Sequence, residues 1–243
     1  MKALILAAGQ GTRLRPLTDD RPKCLVQYEG KPILEYALDA LRINNIDTVG
    51  LVSGYMSEKV IYPGMEKFFN KNFATTNMVE SLFCAEHFLD DDTIIIYGDI
   101  VFRPEILTAL IASPSALPVI IDLNWRELWE MRMENPLLDA ETLKLNSHGQ
   151  IVELGKKPVS YADIQGQYIG MFKFSREAIP EICSLYHSLD RSQLYDARQF
   201  SQMYMTSFLQ LIADRLMPLT AVPIHGGWLE VDSPEDLRLR NIL

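Results

Sequence analysis

The sequence predicts an α/β protein built on a mixed, mainly parallel sheet flanked by helices. Short apolar, β-branched runs alternate with amphipathic stretches along the chain, which is the pattern of a sheet covered by helices. The first run leads directly into a glycine loop, Gly9-Gln10-Gly11. At 243 residues, 48 % of them apolar and 23 % charged, the chain is long enough to bury a sizeable core without staples. One domain is expected over residues 1–243, with a nucleotide-type half to about residue 135 and a second half over 136–243.

Strands are expected at Ala3–Ala8, Thr48–Val52, Thr93–Tyr97 and Leu117–Asp122. Between the first two, Leu34, Ala37, Leu38 and Leu41 fall at i, i+3, i+4 and i+7, the spacing of one buried helix face. A second helix is expected to begin at Asn77, with Glu80 in capping-box position and a stripe of Met78, Leu82, Ala85 and Leu89. Beyond residue 135 the pattern changes to shorter strands, Thr142–Asn146, Ile151–Leu154 and Gln167–Phe174, with a turn at Ser147-His148-Gly149. A long helix carries Leu209, Ile212, Ala213 and Leu216. The last strand ends near Asp232, where Ser233 caps a helix with Pro234 in its first turn.

Charge excludes some functions. The net charge is −9, from 23 basic and 32 acidic residues, whereas a nucleic-acid binder needs a basic face. No apolar run approaches the roughly 18 residues of a membrane span. The amino terminus runs into the glycine loop and not into a small-residue cleavage site, so no signal peptide is expected. Cys24, Cys84 and Cys183 are odd in number and far apart, as expected for reduced thiols in a cytoplasmic protein. His87, His148, His187 and His225 lack zinc spacing, and no Gly-x-Ser-x-Gly elbow occurs.

The most informative stretch is Leu6-Ala7-Ala8-Gly9-Gln10-Gly11-Thr12-Arg13-Leu14-Arg15-Pro16-Leu17-Thr18, followed by Pro22-Lys23. Glycines at 9 and 11 let backbone N–H groups approach phosphate oxygens. Thr12 adds a hydroxyl, while Arg13, Arg15 and Lys23 add positive charge for phosphate oxygens. A dinucleotide fingerprint would need glycine where Leu14 stands, and a P-loop would need Gly-Lys-Ser/Thr. Neither fits. The run instead resembles the signature of nucleotidylyltransferases with the glycosyltransferase-A-type, Rossmann-like fold: Gly-x-Gly-Thr/Ser-Arg-Leu-x-Pro-Leu-Thr, then Pro-Lys. The resemblance extends over essentially the whole chain. It implies transfer of a nucleoside monophosphate to a phosphorylated acceptor. The nucleotide would meet Leu6, Ala7, Ala8, Gly9, Gly11, Thr12 and Arg13, and Lys23 would contact phosphates at the reacting centre.

Tyr97-Gly98-Asp99 closes a strongly apolar strand, and a carboxylate at such a strand end lies where open α/β sheets bind ligands. Glu230 and Asp232, two apart on an extended segment, share a face. These carboxylates suit Mg²⁺, with Glu230 less strongly indicated than Asp99 and Asp232. Capping of neighbouring turns is the competing account. The resemblance implies that Asp99 and Asp232 hold the metal.

Thr76, Asn77 and Ser81 lie where the resembling family faces the nucleotide base. Asn77-x-x-x-Ser81 is similar to phosphocholine and related cytidylyltransferases, whereas sugar enzymes favour a Gly/Pro-rich loop there. Capping explains Asn77 equally. Lys156, followed by Lys157, stands where sugar-1-phosphate enzymes commonly carry a glutamate, and lysine accepts no hydrogen bonds from sugar hydroxyls. These two cations are expected to meet the acceptor, unless they form a solvated hairpin pair. Trp125 and Trp129 share a helix face and could box an ammonium. Core packing, or a subunit interface in a homodimer, competes with that. Tyr168 and Gly170 resemble the family strand behind the acceptor pocket.

The expected enzyme is therefore a nucleotidyltransferase moving CMP from CTP to a small phosphorylated acceptor and releasing pyrophosphate. Phosphocholine, an aminoalkylphosphonate and a phospho-amino acid such as phosphoglutamine all fit. A sugar-1-phosphate nucleotidylyltransferase is the alternative within this chemistry. A catalytically inactive nucleotide sensor is the alternative outside it.

Overall fold

The computed structural model describes residues 1–243. The strands that position the site are β1 (Lys2–Ala7), β2 (Val49–Ser53), β3 (Glu66–Phe69), β4 (Thr93–Tyr97), β5 (Ile100–Phe102), β6 (Pro118–Asp122), β7 (Leu143–Leu145), β8 (Gln150–Leu154), β9 (Gln167–Phe174), β10 (Leu219–Ile224) and β11 (Trp228–Glu230). Nine of them form one sheet in the order β3-β2-β1-β4-β9-β6-β10-β8-β7. Within it, β9 and β8 run against the other seven, so the sheet is mixed and mostly parallel. Strand β9 lies between β4 and β6, which weaves the later part of the chain into the middle of the earlier part.

Side chains of the central strands alternate between two cores, one on each face. Ala3, Ile5, Ile94 and Ile96 enter one, and Leu4, Leu6 and Ile95 enter the other. Six helices cover the faces: α1 (Ile33–Ile43), α2 (Met78–Phe83), α3 (Pro104–Ala112), α4 (Trp125–Arg132), α5 (Ile179–Ser188) and α6 (Met205–Arg215). The periodic stripe Leu34, Ala37, Leu38 and Leu41 of α1 is buried on the first face, together with α3 and α4. Helices α2, α5 and α6 bury their apolar sides on the second. No helix is long and apolar enough to cross a membrane.

Three local expectations change in detail. Asn77 caps α2 by accepting from the Met78 N–H at 2.8 Å, but Glu80 does not complete a capping box. Its carboxylate accepts instead from the Tyr186 hydroxyl at 2.6 Å, a tertiary partner that short-range spacing does not reveal. Helix α2 also stops at Phe83, and a 3₁₀ turn over Glu86–Phe88 continues the buried stripe through Ala85 and Leu89. After Ser233 the expected helix is only a 3₁₀ turn, Asp236–Arg238, although Asp236 accepts the Ser233 N–H and hydroxyl in a capping-box arrangement.

Candidate active site

The site is assembled at the carboxyl ends of β1 and β4. Gly98 crosses so close to β1 that a Cβ there would lie 2.6 Å from the Cβ of Ala7, and its N–H donates to the Leu6 carbonyl at 2.8 Å. Only glycine permits this crossing, and it delivers Asp99 to the mouth of the first loop. The partner carboxylates arrive from the far end of the sequence. Strand β11 pairs antiparallel with β5, setting Glu230 opposite Ile100, and the Val231 N–H donates to the Asp99 carbonyl at 2.9 Å. One oxygen each from Asp99, Glu230 and Asp232 then lie within 4.8 Å of one another.

The glycine loop places the cations against this group. Thr18, fully buried, donates its hydroxyl to the Gly11 carbonyl at 2.9 Å and closes the loop. Gly11 has φ +65°, and a Cβ there would stand 2.9 Å from Lys23 Cβ. Lys23 Nζ donates to Asp99 Oδ2 at 2.7 Å and also to Asp232 Oδ1. Arg13 Nη2 reaches Asp232 Oδ2 at 2.7 Å. Burial alone would push the Lys23 ammonium down, but Asp99, Asp232 and Glu230 outweigh it and hold Lys23 protonated well above the ordinary lysine range. Glu230 moves up because it is buried beside Asp232 and Asp99. Asp232 moves down despite burial, mainly because of Lys23.

Gly11→Ala should therefore disturb catalysis more than folding. The new methyl meets a left-handed φ and the Lys23 stem together, a local strain of about 1–2 kcal/mol. A fall of roughly 10-fold in kcat with little change in Tm is expected. Steady-state kinetics beside thermal unfolding measures both, and an unchanged kcat would detach Gly11 from the placement of Lys23.

Two cavities meet at the charged group. The first is lined by Leu6, Ala7, Ala8, Gly9, Lys23, Thr76, Asn77, Ser81 and Asp99, together with Cys24, Phe73, Met78 and Gly98. Thr76 and Ser81 are held there by Asn70, whose buried amide donates to both hydroxyls at 2.9 Å. Phe73 and Asn70 escaped the sequence reading, since neither stands in a recognisable spacing. Gly11, Thr12 and Arg13, also expected at the nucleotide, are outside this lining, Thr12 exposed and Arg13 on the second cavity instead.

The second cavity, of about 470 Å³, shares Asn77 and Met78 with the first. Arg13, Glu230 and Asp232 line it, as do Tyr168, Gly170, Trp129, Asp139 and Glu141. Gly170 has φ +85° and lets the Tyr97 ring approach to where a Cβ would be only 2.5 Å away. Asp99 and Lys23 thus face one cavity while Glu230, Asp232 and Arg13 face the other.

Three residues expected at the acceptor lie elsewhere. Lys156 is exposed, and its ammonium faces Glu153 at 3.5 Å. Lys157 is also exposed and donates to the Leu138 carbonyl. Both follow Gly155, which has φ +81° and packs against Thr206. Trp125 is buried and stacked on Tyr161, so of the two tryptophans only Trp129 lines the cavity. The carboxylates Asp139 and Glu141 occupy the wall that the lysines were expected to form.

One supporting residue was unforeseen. Asp236 accepts the Asp232 N–H at 2.9 Å and the Ser233 N–H at 2.8 Å, and Arg132 Nε donates to it at 2.8 Å. Both Arg132 and Asp236 are buried, so this pair fixes the backbone beneath Asp232. The spacing Ser233-x-x-Asp236 was the available signal.

The fold recurs in solved proteins. The inositol-1-phosphate CTP transferase from T. maritima superposes with a TM-score of 0.77 at 22 % identity, covering 99 % of this chain and 91 % of that one. In sequence, the CTP:phosphoglutamine cytidylyltransferase of Campylobacter jejuni is 42 % identical over 99 % of both chains. The choline-phosphate cytidylyltransferase of Streptococcus pneumoniae is 37 % identical over 42 % of this chain and 47 % of its own. Residues 3–197 match the model of the MobA-like NTP transferase domain. With four-fifths of its length matched and the signature loop, Lys23 and strand-end carboxylates gathered at one point, the chain belongs to the MobA-like NTP transferase family.

Proposed function

We propose that this nucleotidyltransferase moves CMP from CTP to a small phosphorylated acceptor, releasing pyrophosphate. The observation that carries the reading is the junction of two cavities at Lys23, Asp99 and Asp232. A reaction joining two substrates needs such a place. The cavity beneath the glycine loop is assigned to the nucleotide, with Thr76, Asn77 and Ser81 on the base side. The cavity walled by Tyr168 and Gly170 is assigned to the acceptor. The choice of CTP follows the full-length likeness to the phosphoglutamine cytidylyltransferase, and phosphoglutamine is accordingly the first acceptor to test.

The acceptor oxygen is already anionic near neutral pH, so it can attack the α-phosphorus in line without a side-chain base. The protein's work is positioning and charge neutralisation. Lys23 lies between the cavities and brings its charge to the reacting phosphates, while Arg13 stands at the acceptor side. The donor set fits a hard divalent cation: three carboxylates converge, and Asp99 Oδ1 is buried without a hydrogen-bond partner. Asp99 and Asp232, with Glu230 beside them, would hold Mg²⁺, which supplies positive charge to phosphate oxygens when bound.

Pyrophosphate release measured with each of four NTPs, Mg²⁺ and phosphoglutamine tests the reading. CTP should exceed the other nucleotides by at least about 10-fold in kcat/KM, near 1.4 kcal/mol of discrimination. Preference for another nucleotide would overturn the assignment of cytosine and leave the transfer chemistry in place.

A further inference from the structure

We propose that Asn70, which lies behind the first cavity and outside its lining, sets the preference for cytosine. It does so by fixing the Ser81 hydroxyl as a hydrogen-bond donor to the N3 lone pair of the base, a role that rests on the assignment of the first cavity to CTP. Ser81 contacts the nucleotide, and Asn70 is a positioning residue.

Asn70 directly follows β3, and its N–H donates to the Ser53 carbonyl at 2.9 Å, which pins it to the end of β2. The side chain is buried, and both ends of its amide are engaged. Oδ1 accepts the Asn72 N–H at 3.0 Å. Nδ2 donates to Thr76 Oγ1 and to Ser81 Oγ, both at 2.9 Å. A backbone N–H can only donate, so the amide oxygen must face Asn72 and the amine must face the two hydroxyls. The orientation of Asn70 is therefore set by its partners.

Each hydroxyl oxygen accepts from Asn70, so each hydroxyl hydrogen goes elsewhere. Thr76 sends its hydrogen to the Asn72 carbonyl at 3.0 Å. The Ser81 hydroxyl accepts from Asn70 and donates to no group of the chain, and it lines the first cavity beside Thr76 and Asn77. Ser81 thus offers the base a donor. At the 4-position the cytosine amine is itself a donor, so O2 and N3 are the atoms that Ser81 can serve. O2 accepts in both pyrimidines and separates neither. N3 carries a lone pair in cytosine but a hydrogen in uracil, which would oppose two donors in a confined site and leave both unpaired. Phe73 and Met78 line the same cavity and supply apolar surface for the faces of a planar ring.

Titration calorimetry with Mg²⁺ and no acceptor tests this, using CTP, UTP and 3-deaza-CTP, in which a C–H replaces N3 while O2 and the amine remain. The natural protein should bind CTP about 10–100-fold more tightly than 3-deaza-CTP, the range for leaving one buried donor unpaired. Ser81→Ala should bring that ratio close to unity. Asn70→Asp gives a readout that a structural role would not move. A carboxylate facing three donors stays ionised and only accepts, so the Ser81 hydroxyl turns towards it and shows its lone pairs to the cavity. The CTP:UTP affinity ratio should then fall by at least about 10-fold, whereas loss of structure alone weakens both nucleotides alike. Asn70→Ala, which frees the hydroxyl to rotate, should shrink the 3-deaza-CTP penalty and decides the role of Asn70 if Asn70→Asp does not fold. Equal binding of CTP and 3-deaza-CTP by the natural protein overturns the contact at N3 while CTP remains the nucleotide. A penalty that survives in Ser81→Ala removes Ser81 from the recognition, and unchanged ratios in the Asn70 variants remove Asn70. Tighter binding of UTP than of CTP by the natural protein overturns the assignment of cytosine and this contact together.

Discussion

Asp99→Asn and Asp232→Asn are each expected to reduce metal-dependent turnover by roughly 10²–10³-fold or more, the scale of removing one preorganised electrostatic partner from a reacting centre. An amide keeps the shape but offers a neutral oxygen, a far weaker partner for a divalent ion. The two positions should also share a second signature. In the natural protein, Mg²⁺ is expected to raise Tm by binding the folded state alone, and either substitution should weaken that rise. Asp232→Asn has an additional consequence, because Arg13 and Lys23 both contact Asp232 and lose a charged partner. Turnover of both variants at ordinary Mg²⁺ concentrations would place the metal elsewhere.

Lys23→Ala is the second large effect. Its ammonium is the single group that touches both Asp99 and Asp232, so no neighbouring side chain can replace it. Loss of at least about 10²-fold in kcat is expected. The variant also leaves three carboxylates within 4.8 Å of one another, opposed at contact distance by Arg13 alone. Like charges so placed disfavour the folded state, and a divalent ion relieves them. Mg²⁺ should therefore stabilise Lys23→Ala against heating by more than it stabilises the natural protein. A near-normal kcat would remove Lys23 from the reaction. An unchanged response to Mg²⁺ would mean that it is not the cation balancing the carboxylates.

The parts of this protein legible in its sequence are those written in short-range pattern. Strands β1 and β4 are nearly continuous apolar runs, β9 is apolar-rich between Gln167 and Lys173, and α1 has a strict helical stripe, so their place and type follow directly. The signature loop was legible for the same reason: Gly11, Thr18 and Lys23 are close in sequence, and their contacts are local. Asp99 and Asp232 were legible as strand-end carboxylates, although only the pairing of β5 with β11 brings them together across the chain.

What was not legible depends on direction. Lys156 and Lys157 follow a glycine with φ +81° packed on Thr206, and their side chains engage Glu153 and the Leu138 carbonyl. Sequence spacing carries no such information. Glu141 shows the converse. It stands in an unremarkable acidic segment, and only its burial beside Gln167 and Thr206 marks it. Asn70 and Asp236 belong with it: each orients a site residue from behind, through hydrogen bonds that no motif announces.

Two substrates meeting at Lys23, Asp99 and Asp232 would exchange one phosphoanhydride bond for another. Phosphorus NMR of the protein with CTP, Mg²⁺ and phosphoglutamine tests this most directly. New coupled resonances of a CMP–acceptor diphosphate linkage should grow in step with pyrophosphate, one for one, and be absent in Lys23→Ala. Conversion of CTP to CDP and inorganic phosphate, with no new diphosphate linkage, would contradict it.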